Sequence, residues 1–201
     1  MSKSKTAVDE VSDGGAFVRT DAGYRDWVKA DGSTPFKPEA DRYHLYVSYA
    51  CPWACRCLAV RSIKGLEDVI SISVVHPVWD KTRPEDENDS HRGWMFRGED
   101  EFKGNIPDML NQATCVRDLY DLCNDKTGKY TVPVLWDKKT KSIVSNESSE
   151  IIRMFNDEFN ELCKRPEIDL YPKALRKDIE AVNEWVYPML NNGVYRRCVS
   201  T

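Results

Sequence analysis

The residues best suited to do chemistry are Cys51-Pro52-Trp53-Ala54. Proline suits the first position of a helix, so Cys51 stands just ahead of one, where unbonded backbone N–H groups and the positive end of the helix dipole point. That setting favours thiolate over thiol and lowers a cysteine pKa, as a sulfur nucleophile requires. The alternative is a structural cysteine buried at a helix start, and C-P-x-A alone does not separate the two. The chain has seven cysteines, an odd number, with no pair spaced C-x-x-C. This fits reduced thiols rather than a disulfide framework and gives no sign of a zinc ribbon or dithiol motif, so no metal is expected. Cys55 lies one turn beyond Cys51; a local disulfide and simple packing are both open there, packing being the commoner role.

Two further segments suit ligand binding. Val132-Pro133 opens a strand. An X-Pro bond there is either cis, leaving the Val132 backbone to pair with a peptide-like ligand, or the ordinary trans bond of a strand-opening proline. Glu147-Ser148 stands at the start of a helix. A carboxylate suits an ammonium, while a hydroxyl beside free helical N–H groups suits a carboxylate. Simple N-capping by Ser145, Asn146 or Ser148 is compatible with either role.

The elements that must position these residues follow from hydrophobic patterning. Residues 1–42 are irregular and rich in Gly, Asp and Ser, an N-terminal extension laid over the surface. Residues 44–48 predict a strand. Residues 52–63 predict a helix ended by Gly65, with Ala54, Cys57, Leu58 and Arg61 on one face, and residues 69–75 a second strand. A polar insertion spans 76–114, and its charge run 83–91 reads as a solvated loop; Gly93-Trp94-Met95-Phe96 is too aromatic for solvated linker. Residues 115–123 predict a helix with Val116, Leu119, Tyr120 and Leu122 buried. Residues 132–136 and 142–144 form a hairpin, and 147–159 a helix with Ile151, Ile152, Met154 and Phe155 as its apolar set. The order β-α-β then α-β-β-α is the thioredoxin arrangement, an α/β fold whose right-handed crossover sets the Cys51 helix start beside the strand opening at Pro133. After a linker at 164–172, a helical pattern begins at Lys173 with Leu175, Ile179, Val182, Trp185 and Val186. Such a helix cannot bury its face alone, so residues 173–201 read as the start of an α-helical domain, incomplete here, after a 43–163 ligand-binding domain.

Bulk properties narrow the function. The 201 residues are 41% hydrophobic and 31% charged, a globular composition. A net charge of -4 argues against nucleic acid or an anionic membrane as principal partner. The apolar runs are too short to span a bilayer. Residues 1–12 read as a polar tail without signal or transit character, so a cytoplasmic location is expected.

Residues 42–79 (RYHLYVSYACPWACRCLAVRSIKGLEDVISISVVHPVW) resemble the xi-class glutathione transferases, the S-glutathionyl-hydroquinone reductases. Gly93-Trp94-x-Phe96, Thr131-Val132-Pro133-Val134-Leu135-Trp136-Asp137, Asn146-Glu147-Ser148-Ser149-Glu150-Ile151-Ile152 and Asn191-Asn192-Gly193-Val194-Tyr195 extend the resemblance, which runs from about Phe17 to Arg196. It implies glutathione as co-substrate, with Cys51 as nucleophile, Trp94 covering the glutathione and Val132 with Pro133 at its cysteinyl backbone. Glu147 and Ser148 would hold the γ-glutamyl group and Tyr195 would reach the hydroquinone side. Arg117 is a further candidate, for the glycyl carboxylate. The implied reaction removes glutathione from S-glutathionyl-hydroquinones through a Cys51–glutathione mixed disulfide, with no metal or nucleotide.

Two departures stand out. Many relatives carry His where this chain has Cys55. The family pattern also continues well past Tyr195 with more helices, whereas Arg197-Cys198-Val199-Ser200-Thr201 departs from it. A chain truncated there would lack much of the electrophile pocket and of the surface of a family-type homodimer. Competing readings are a general thiol transferase or dehydroascorbate reductase of omega type, and a non-catalytic glutathione-binding fragment. A conjugating transferase is disfavoured, because conjugation relies on a hydroxyl that stabilises glutathione's own thiolate, whereas a protein thiol there captures glutathione as a disulfide.

Overall fold

The computed structural model describes Glu10 and residues 18–199, the side chains of Cys198 and Val199 excepted. Most of the expected N-terminal tail and residues 200–201 lie outside the described residues. A four-stranded sheet has the order β2-β1-β5-β6, from β1 (Tyr43–Val47), β2 (Ser71–Val74), β5 (Val134–Asp137) and β6 (Ser142–Ser145). A separate ribbon pairs β3 (Asp80–Lys81) with β4 (Arg92–Gly93). The helices are α1 (Pro52–Lys64), α2 (Val116–Leu122), α3 (Ser148–Asp157), α4 (Arg176–Val186) and α5 (Asn192–Val199). This is the thioredoxin-like arrangement followed by helices.

β1 is buried along its whole length, as the apolar, aromatic run YHLYV allows for a strand with neighbours on both sides. It pairs parallel with β2 (Leu45 opposite Ile72) and antiparallel with β5 (Leu45 opposite Leu135). The Arg42 guanidinium meets the buried Asp137 carboxylate through Nε at 2.9 Å and Nη2 at 2.7 Å, tying the start of β1 to the end of β5. α1 packs on α3 and buries Ala54, Cys57, Val60 and Lys64. Arg61, expected on that face, instead donates from Nε to the Ile70 carbonyl at 2.7 Å. Gly65 ends α1 at φ 68°, a left-handed conformation, and a Cβ there would lie 2.7 Å from Lys164 Cβ.

The insertion is more ordered than expected. Val74 and Ile106 exchange backbone hydrogen bonds of 2.9 and 3.0 Å, covering the edge of β2. The 83–91 run is not simply solvated, because α2 offers partners to its ends. Arg83 pairs with Asp118 and Asp121, both at 2.7 Å, and Asp89 with Arg117 at 2.5 Å, while residues 84–88 are exposed. α2 buries Val116, Leu119 and Tyr120, but Leu122 is exposed; the helix ends there and Cys123 turns inward instead, its sulfur accepting the Ile143 N–H. No described helix is long and apolar enough to cross a membrane.

Candidate active site

Cys51 is the N-cap of α1, with φ -100° and ψ 113°. It is 8% exposed, and its thiol donates to the Val132 carbonyl at 3.5 Å. Burial pushes the thiol pKa up; the backbone N–H groups of Ala54 and Trp53 at the helix start pull the other way, and the balance stays upward. The helix start supplies the expected donors, but its exclusion from water outweighs them, so the lowered pKa expected from sequence is not found. Cys55 is a free thiol that donates to the Tyr49 carbonyl at 3.3 Å, so it is not disulfide-bonded to Cys51.

Val132–Pro133 is cis, and both residues line a cavity of about 290 Å³. Trp53, Glu147 and Ser148 line it as well, so the starts of α1 and α3 open on one space. Glu147 caps α3, its carboxylate accepting from Ser149 N at 2.9 Å and Ser149 Oγ at 2.8 Å. Arg56, which the motifs did not single out, lies 3.6 Å from that carboxylate. It also donates to Ser148 Oγ from Nε at 3.0 Å and Nη2 at 2.7 Å, and stacks 4.9 Å from the Trp53 ring centroid. The pair expected to hold the γ-glutamyl group thus has a guanidinium directly behind it.

Trp94 lies in an adjoining hollow of about 60 Å³ that shares Arg19, Lys129 and Thr131 with the main cavity. Its ring meets Trp79 edge-on at 5.4 Å, and its carbonyl accepts the Val116 N–H at 2.9 Å at the start of α2. Tyr195 is brought back to α1: its hydroxyl accepts from Trp53 Nε1 at 2.8 Å. Tyr187, which sequence reasoning passed over, lines the main cavity. Arg117 is not among the lining residues, being engaged with Asp89. Glu10, read as part of a polar tail, is 5% exposed and pairs with Lys129 Nζ at 2.5 Å. Among the described residues, no cluster of three or more His, Cys, Asp or Glu could hold a metal.

Residues 50–158 match the glutathione S-transferase N-terminal domain, and the chain belongs to that family. It is 45% identical over 203 residues to the glutathionyl-hydroquinone reductase YqjG of Escherichia coli, covering 98% of this chain and 58% of that protein. The xi glutathione-S-transferase of Phanerochaete chrysosporium superposes with a TM-score of 0.78 at 50% identity, over 89% of this chain and 57% of that one. The glutathione-bound structure of YqjG gives a TM-score of 0.74 at 46% identity, over 86% of this chain and 54% of that one. The chain therefore spans little more than half the length of the relatives it matches.

Proposed function

We propose that this chain carries the glutathione-binding and thiol-transfer centre of a cytoplasmic reductase that removes glutathione from S-glutathionyl-hydroquinones. One observation carries the reading. The Cys51 thiol sits 3.5 Å from the carbonyl of Val132, and Val132 lines a cavity whose wall also includes Glu147 and Ser148 at the start of α3. A tripeptide thiol laid in that cavity has its sulfur at Cys51, its backbone along Val132 and Pro133, and its amino-acid end at Glu147 and Ser148. Trp94 covers it. In this reading residues 43–163 are the glutathione-binding domain and residues 173–201 the opening of a helical one.

The Cys51 thiolate attacks the sulfur of the glutathionyl-hydroquinone. The carbon–sulfur bond breaks, the ring carbon takes up a proton and leaves as hydroquinone, and a Cys51–glutathione disulfide forms. A second glutathione thiolate attacks that disulfide, releasing oxidised glutathione and free Cys51. Tyr195, held against Trp53 by the 2.8 Å hydrogen bond that its hydroxyl accepts, faces the hydroquinone side in this reading. The similarity to YqjG, a glutathionyl-hydroquinone reductase, supports this reaction. Mixing the chain with a glutathionyl-hydroquinone and glutathione should release hydroquinone, and Cys51→Ser should reduce that release by at least about a hundredfold. Equal release from the two proteins would sink the assignment.

A further inference from the structure

We infer that Arg19, carried by the segment ahead of β1, is a positioning residue that supports the Cys51 thiolate and couples the nucleophile to helix α5. The inference rests on the reading of Cys51 as the reactive thiol. Its geometry is specific. The Arg19 guanidinium carbon lies 5.0 Å from the Trp53 ring centroid and 4.5 Å from that of Tyr195. Those two side chains are themselves joined by the 2.8 Å hydrogen bond between Trp53 Nε1 and the Tyr195 hydroxyl. Arg19 Nη1 also reaches Asn192 Oδ1, on the first residue of α5, at 3.5 Å. A planar cation stacked on aromatic faces is held by the ring quadrupoles as well as by its hydrogen bonds.

The backbone around Arg19 is pinned on both sides, with Val18 N donating to the Glu10 carbonyl at 2.8 Å on the N-terminal side. Thr20 donates to the Glu10 carboxylate from N at 2.8 Å and from Oγ1 at 2.5 Å, and Tyr24 N donates to Asn146 Oδ1 at 3.1 Å. Arg19 thereby lines both the main cavity and the hollow that holds Trp94.

The electrostatic case is one of opposition. Burial works against a charged Cys51, and two backbone donors do not overcome it. The Arg19 charge acts in the same direction as those donors, while Cys55 acts with the burial. Other titratable or charged groups around the site are Cys57 and Arg56 on α1, Asp21, Lys129 and Glu147 along the cavity, and Tyr187 and Tyr195 from the C-terminal helices. Lys129 is engaged with Glu10 and Thr20, and Arg56, also over the Trp53 ring, with Glu147 and Ser148; Arg19 lies over both the Trp53 and the Tyr195 ring.

The test is the pH dependence of iodoacetamide alkylation at Cys51, resolved from the other cysteines by peptide mass mapping of the full chain. Wild type is compared with Arg19→Met and Arg19→Lys. The expected result for Arg19→Met is a profile moved to higher pH, with a rate at neutral pH about 3- to 10-fold lower. Arg19→Lys keeps the charge and should hold the profile to within about 0.3 pH units of wild type. An Arg19→Met profile that superimposes on wild type overturns the inference. So does a faster reaction at every pH, which would mean that Arg19 only covers the thiol. A wild-type Cys51 that stays unreactive while other cysteines are alkylated rejects the nucleophile reading itself.

Discussion

Helices α1 and α4 both carry an apolar stripe, the more sharply segregated one on α4, and meet different fates. α1 closes over the sheet and α3, burying Ala54, Cys57 and Val60. No residue of α4 is fully buried: Ile179 and Val186 are half-buried, Trp185 is 58% exposed, and Leu190 in the following turn 62%. A stripe at helical spacing states which face is apolar; whether it is covered depends on surfaces elsewhere in the fold. The two regions nevertheless meet at the site, where Tyr195 and Asn192 of α5 reach Trp53 and Arg19. Packing at the nucleophile thus comes from the sheet side, whereas the helical side is tied on by polar and aromatic contacts, among them Arg153 with Glu180 and Trp53 with Tyr187.

The contrast can be broken most sharply in the sheet. Leu135 is fully buried between β1 and β6, so Leu135→Ala should cost about 3 kcal/mol in urea unfolding. A loss under about 1 kcal/mol would mean that the sheet side is not the tightly packed half.

A second effect of similar size sharpens the same point through pH. His44 is buried with its ring nitrogens at Ser71 Oγ (2.8 Å) and Ser73 Oγ (3.0 Å), and burial lowers its pKa from the ordinary 6.5 to about 4. Below the unfolded value the unfolded chain takes up a proton that the folded chain refuses. Stability is therefore full above about pH 6.5 and falls as pH drops towards 4, by up to about 1.4 kcal/mol per unit. Unfolding free energies from urea titrations at about pH 7 and about pH 5 should differ by about 2 kcal/mol, and His44→Asn should flatten the slope. An unchanged slope in that variant would assign the acid sensitivity to other groups.

The smallest effect is expected on the helical side. Leu190→Ala should change stability by less than about 0.5 kcal/mol, since an exposed side chain has little burial to lose. A cost near that of Leu135→Ala would erase the contrast.

Much of this was legible in the sequence where local rules govern. Cys51-Pro52 fixes a helix start by the geometry of proline, and Gly65 its end by a left-handed φ. For Val132-Pro133 the local pattern admitted two isomers, and the cis one is present. What stayed hidden depends on the tertiary fold. The sign of the Cys51 pKa shift is set by burial, which no motif encodes. Arg19 and Arg56 carry no periodic signal, one in an irregular segment and the other among the polar positions of α1. The two-residue strands β3 and β4 are too short to show alternation.

The central claim is that Cys51 carries the glutathionyl group between two thiol exchanges. Its most direct test is intact-mass analysis after brief mixing with a glutathionyl-hydroquinone in the absence of free glutathione, followed by peptide mapping. The account predicts one glutathionyl adduct per chain, located at Cys51, absent from Cys51→Ser and discharged when glutathione is added. An adduct that persists in Cys51→Ser, or none from a folded wild-type chain, would contradict it.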